Sequence, residues 1–181
     1  ATDKGVMLLT QASGAVDATD DDLAKRQALW DKNSKGLNKH QLKCDTHYLP
    51  KLLEKAYDHG VWEEKAKTCF SCGSCNLVCP TCYCFDVQDD VNWDMATGKR
   101  TRCWDGCLLD GFTKVAGDHE FRNVRADRFR HRLYRKGKYV PAKIEGQIAC
   151  VGCGRCVSAC LPGIANPVDV YNQLLDDVGI S

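Results

Sequence analysis

One arrangement of cysteines, C-x2-C-x2-C-x3-C, occurs twice in the chain: at Cys69, Cys72, Cys75 and Cys79, and again at Cys150, Cys153, Cys156 and Cys160. Few patterns restrict a fold so much, because each segment has to curl tightly enough to turn several thiols towards a common object. The eight belong to 13 cysteines in 181 residues, an odd total that a fully paired disulfide framework would not use. Gaps of two and three residues are ligand spacing rather than bridge spacing.

A cubane iron-sulfur cluster presents iron atoms only a few ångströms apart, so three thiolates two residues apart on one tight loop wrap three of its corners, and a fourth cysteine lies on the turn that follows. Pro80 directly after Cys79 fits this, since the chain has to change direction there. The second copy departs from it, with Leu161 after Cys160 and the proline displaced to Pro162. Gly73, Gly152 and Gly154 stand between ligands, where a missing side chain lets backbone amides approach cluster sulfurs. Zinc is the competing reading, but it needs only four ligands per ion and commonly recruits histidine, and neither group contains one. The expectation is two [4Fe-4S] clusters, about eight irons and eight sulfides. In a two-motif ferredoxin the fourth cysteine of each motif serves the other cluster. One cluster is then expected on Cys69, Cys72, Cys75 and Cys160, and the other on Cys150, Cys153, Cys156 and Cys79.

Composition narrows the class. The 25 basic and 24 acidic side chains nearly cancel, so no whole-chain field draws the protein to nucleic acid or an anionic membrane. There is no apolar run of about 18 residues that would span a bilayer, and the start, Ala1-Thr2-Asp3-Lys4, lacks the apolar stretch of a signal peptide. The expected location is the cytoplasm.

Along the chain, Thr19 and Asp22 form a capping box for a helix closed by Gly36. Leu49, Leu52, Leu53 and Ala56 predict a second helix to Tyr57, with Gly60 as its stop. The polar stretch Asp89 to Arg100 reads as a loop, Trp104 to Ala116 as a helix ending at Gly117, and about Arg122 to Arg135 as a helix with Ala126, Phe129 and Leu133 on one face. Asn166 and Pro167 open a last helix whose buried stripe is Val170, Tyr171, Leu174 and Val178. Two cysteine groups flanked by helices make a mostly α domain at residues 44–181, behind a helical N-terminal extension, 1–43, of no assigned role.

Beyond the spacing, the wording from Cys69 through Cys79-Pro80-Thr81-Cys82-Tyr83-Cys84-Phe85-Asp86-Val87 resembles the dicluster domain of the β subunit of sulfhydrogenase-type NiFe hydrogenases, and is similar to the corresponding iron-sulfur subunit of anaerobic sulfite reductases. Arg102, Trp104-Asp105-Gly106-Cys107, Phe112-Thr113, Ala116-Gly117 and Cys150-Val151-Gly152-Cys153-Gly154-Arg155-Cys156 extend the likeness over about residues 60 to 175. The resemblance implies an α-helical ferredoxin-like dicluster domain. It also implies an electron relay between a flavin-containing subunit that handles NAD(P)H and a catalytic subunit of hydrogenase, sulfite reductase or heterodisulfide-reductase-like type. A redox sensor or stand-alone ferredoxin-like carrier is the alternative. Catalysis is expected elsewhere, since the chain holds no Ser/His/Asp order, paired carboxylates, Walker loop or dinucleotide fingerprint.

Two features remain open. Cys82, Cys84, Cys103 and Cys107 are either a third metal site or buried thiols beside the clusters. A C-x-C pair points to opposite sides of an extended chain, which favours the second reading, whereas a helix over 104–116 would set Cys103 and Cys107 on one face. The basic run Arg122, Arg125, Arg128, Arg130, Arg132, Arg135, Lys136 and Lys138 is either a solvated helix face or a source of positive charge for a cluster and a partner. Cys44 reads as an ordinary thiol, and the five histidines are scattered.

Overall fold

The computed structural model describes residues 2–12, 14–37 and 40–179, and the chain divides into two compact units, Ala1–Gln41 and Leu42–Ser181. The first unit holds α1 (Asp3–Gln11) and α2 (Asp20–Leu37), neither of which buries a side chain. Local chemistry alone accounts for them. Thr2 caps α1 through a bond from the Gly5 amide at 3.3 Å. The capping box expected at α2 is present: the Asp22 amide donates to Thr19 Oγ1 at 3.3 Å, and the Thr19 amide donates back to Asp22 Oδ2 at 3.0 Å. Asp20, Asp21 and Asp22 also place negative charge on the first turn.

The second unit owes its core to helices. It contains α3 (Leu49–Lys55), α4 (Val61–Thr68), the single turn α5 (Ser74–Leu77), α6 (Arg125–Tyr134), the single turn α7 (Arg155–Ser158) and α8 (Pro167–Val178). Leu49, Leu52 and Leu53 of α3, Trp62 of α4, Phe129 and Leu133 of α6, and Val170, Tyr171 and Leu174 of α8 form one buried cluster. Its aromatic polar atoms are satisfied: Trp62 Nε1 donates to the Ala56 carbonyl at 2.8 Å, Tyr171 Oη to the Leu133 carbonyl at 2.9 Å, and Tyr134 Oη to the Leu53 carbonyl. Gly137 lies where a β-carbon would come within 2.8 Å of Leu53 Cδ1 and 3.0 Å of Tyr171 Oη. Only glycine lets this backbone pack against the core. Here α6 runs on into a π-helical turn, Arg135–Tyr139, which carries the helical path past Arg135.

The helices at Leu49, Arg125 and Asn166-Pro167 stand where the apolar spacing and caps predict them, and Asn166 Oδ1 accepts from the Val168 amide at 3.2 Å. Two expectations fail. The stretch read as a loop is a hairpin, β1 (Phe85–Val91) against β2 (Gly98–Trp104), antiparallel from Phe85 opposite Trp104 to Val91 opposite Gly98. Its turn is fixed by Asp94, whose Oδ1 accepts from the Ala96 and Thr97 amides at 3.0 Å each. Arg100 clasps Asp89 across the strands with two bonds, at 2.6 and 2.7 Å. The helix expected from Trp104 to Ala116 is absent. That segment leaves β2, turns through Gly106 and Gly111, and joins a short ladder of β3 (Lys114–Val115) and β4 (His119–Glu120). The dicluster organisation stands, but with these two ladders the fold is mixed rather than plainly mostly α.

Candidate iron-sulfur centre

The two cysteine loops share a backbone. In the first, Ser71 has φ of 51° and Gly73 of 70°; in the second, Gly152 has φ of 64° and Gly154 of 73°. These left-handed residues occupy the same places in both motifs, two after the first cysteine and one after the second. Each loop then enters a single helical turn, α5 or α7, headed by the left-handed glycine. The Gly73 carbonyl accepts from the Asn76 and Leu77 amides at 2.8 and 3.0 Å, and the Gly154 carbonyl from the Val157 and Ser158 amides at 3.0 and 3.2 Å. Left-handed positions turn successive amides to one side, a concavity suited to an anion. Turns α5 and α7 pack against one another, so the two loops meet at their helical ends.

Cys69, Cys72 and Cys75 line one cavity together with Cys160, which comes from the other motif. Its remaining wall is apolar, with Leu108, Phe129, Ile164 and Ala165. Cys69 and Cys75 are buried, Cys160 half-buried and Cys72 exposed. Burial pushes the Cys75 thiol up to about 12, whereas the Ser74 hydroxyl and amide lower that of Cys72. Metal coordination deprotonates such thiols outright.

The fourth cysteine of the first motif keeps different company. Lys136, 4% exposed, donates to Cys79 Sγ at 3.2 Å, to Thr81 Oγ1 at 2.8 Å and to the carbonyl of Ala149 at 3.2 Å. Ala149 directly precedes Cys150, so a single ammonium joins Cys79 to the start of the second motif. Thr81 Oγ1 donates to the same carbonyl at 2.8 Å. Burial alone would raise the Cys79 thiol, but Thr81 and Lys136 outweigh it and bring it down to about 6. Cys150 and Cys156 are half-buried and Cys153 exposed.

Arg132 stands between the loops, 1% exposed. Its Nε donates to Asn76 Oδ1 at 3.0 Å and its Nη2 to the Cys75 carbonyl at 3.4 Å. Burial acts to lower its pKa; the facing thiols of Cys75 and Cys156 overcome this and raise it. Three members of the basic run, Arg128, Arg132 and Lys136, are thus buried, so for them the solvated-face reading fails. Their signal was a spacing of four residues, which puts all three on one helical face beside Phe129 and Leu133.

The donor set suits cubanes. Among the described residues no three His, Cys, Asp or Glu side chains gather closely enough to hold a single metal ion; the first-motif thiols with Cys160 instead stand around a cavity, as separate corners of a cluster require. Residues 68–164 match the family model for the 4Fe-4S dicluster domain. Over 159 residues the chain is 39% identical to sulfhydrogenase 2 subunit beta of Pyrococcus furiosus (strain ATCC 43587 / DSM 3638 / JCM 8422 / Vc1), a match covering 87% of this chain and 45% of that protein. The chain thus spans less than half the length of that curated relative. No solved structure matches it, and no helix among the described residues is long and apolar enough to cross a membrane. With the paired cysteine loops, the matched model and this relative in agreement, the chain belongs to the 4Fe-4S dicluster-domain family and is an iron-sulfur electron-transfer protein carrying two [4Fe-4S] clusters.

Proposed function

We propose that the chain is a two-cluster relay between a flavin-containing subunit that handles NAD(P)H and a catalytic redox subunit, with no active site of its own. The observation that carries this reading is the buried Arg132, which faces Cys75 of the first motif and Cys156 of the second at once. Two centres that share one counter-charge are close neighbours, as electron passage between them requires.

Bound clusters supply one-electron reduction and oxidation; the chain supplies spacing, insulation and charge. Cys69, Cys72, Cys75 and Cys160 hold one cluster against an apolar wall, and Cys150, Cys153, Cys156 and Cys79 hold the other beside Lys136. The crossed fourth ligands also make each cluster a fold cross-link between segments separated by the hairpin and α6. The frame is that of an α-helical ferredoxin, residues 44–181, with 1–43 as an extension, and the setting is an anaerobic cytoplasm. The relative's own name, a sulfhydrogenase subunit, supports a hydrogenase-type complex as the partner.

The test is turnover by the purified, cluster-loaded chain under anaerobic conditions. Alone, it should neither reduce NAD(P)+ nor evolve hydrogen nor reduce sulfite, and activity should appear only when flavin and catalytic subunits are added. Robust turnover by the chain by itself would overturn the relay.

A further inference from the structure

Five cysteines lie outside the two motifs, and three of them, Cys82, Cys84 and Cys107, line a single cavity with Arg132, Arg135 and Lys136. The hairpin is what brings them together. Strand β1 starts at Phe85 opposite Trp104 of β2, and just before it the Cys84 carbonyl accepts from the Asp105 amide at 3.2 Å. This contact closes a loop of about twenty residues and delivers Cys107 to the C-x-C segment. Cys107 is 4% exposed and Cys82 and Cys84 are half-buried. The Asn76 side chain, which accepts from Arg132, donates to Cys107 Sγ at 3.3 Å.

Inert structural thiols sit among apolar side chains. These three face two deeply buried cations instead. Arg132 Nη1 has no hydrogen-bond partner among the described residues, and no carboxylate there forms an ion pair with Arg132 or Lys136. Arg132 already faces Cys75 and Cys156 and Lys136 already bonds Cys79, yet both also line the cavity of Cys82, Cys84 and Cys107 together with Arg135. Three cations at one cavity favour a further anionic centre there, which three thiolates on a metal cluster would provide. The thiols are not close enough together for a single ion, so the wider spacing of a cluster fits them better than zinc does.

We propose that Cys82, Cys84 and Cys107 hold a third [4Fe-4S] cluster, with three protein thiolates and one iron corner left to a non-protein ligand. Cys103, whose Sγ donates to Gln88 Oε1 at 3.7 Å on the hairpin, is not a ligand, and Cys44 packs at the edge of the apolar core instead. The site is independent of how the eight motif cysteines divide.

The test is a count of iron and acid-labile sulfide on the full chain, reconstituted anaerobically with iron, sulfide and dithiothreitol. It should give about twelve of each per chain, the arithmetic of three cubanes. Cys84→Ser and Cys107→Ser should each lower the count by about four while the EPR signals of the two motif clusters persist, and Cys44→Ser and Cys103→Ser should leave it unchanged. About eight irons in the unsubstituted chain, which needs no variant to fold, would overturn the proposal. So would one equivalent of zinc lost with Cys107→Ser, or a loss on Cys103→Ser equal to that on Cys107→Ser.

Discussion

The two cysteine loops have nearly the same backbone and different surroundings. Both place left-handed residues at the same two positions and both end in one helical turn. Around the first, however, the cavity wall is Leu108, Phe129, Ile164 and Ala165, while Cys79 meets an ammonium and a hydroxyl, each of which also donates to the peptide carbonyl just ahead of the second loop. The repeated sequence thus specifies how thiols are presented, and the non-repeated helix α6 specifies the electrostatics. With Phe129 turned to one site and Lys136, just past its end, to Cys79, the helix gives two sites of similar backbone unequal surroundings.

The largest effect is expected on the apolar side. Phe129 is 1% exposed and both anchors the core and walls the first cavity, so Phe129→Ala should cost about 3–5 kcal/mol of stability. Anaerobic guanidinium denaturation followed by cluster absorbance checks this, and a midpoint close to that of the unsubstituted chain would remove the apolar half of the contrast.

On the cationic side the effect is smaller and of another kind. Lys136→Met removes a charged donor from Cys79 Sγ. Hydrogen bonds to charged groups are worth about 1.5–3 kcal/mol; at about 59 mV per tenfold change for one electron, the potential of the cluster using Cys79 should fall by roughly 60–130 mV. The sign follows from charge, since positive charge near a cluster favours its more negative, reduced form. Lys136→Arg should restore most of the shift. EPR-monitored redox titration reads both clusters, and equal shifts in the two would mean that Lys136 does not distinguish them.

The parts of the fold with strong local signals were legible in the sequence. Thr19 with Asp22, the leucines of α3, and Asn166-Pro167 each specify a helix by capping or apolar spacing, and the structure has those helices. The hairpin was not legible, because β1 is exposed along its whole length and therefore lacks the alternation that marks a half-buried strand. It is held instead by the Asp94 turn and the Arg100 and Asp89 pair, contacts between residues that read as loop. The pattern from Trp104 to Ala116 suggested a helix, where the chain instead turns through Gly106 and Gly111. At the site, the eight motif cysteines were plain from their spacing. The burial of Arg132 and Lys136 was not, since in a run of eight basic residues nothing but the four-residue step from Arg128 separates the inward positions from the solvated ones. The convergence of Cys84 and Cys107 depended on the hairpin and was lost with it.

The proposed crosswise tie between the motifs, in which each lends its fourth cysteine to the other's cluster, is tested most directly by a pair of variants. Cys79→Ala and Cys160→Ala, reconstituted anaerobically and followed by EPR, should give opposite results. Cys79→Ala should perturb the cluster held by Cys150, Cys153 and Cys156, recognised by the EPR signal that Cys153→Ser alters, and leave the other largely intact; Cys160→Ala should do the reverse, perturbing the signal that Cys72→Ser alters. Damage in Cys79→Ala confined to the cluster of Cys69, Cys72 and Cys75 would contradict the crossed tie and show each motif ligating its own cubane.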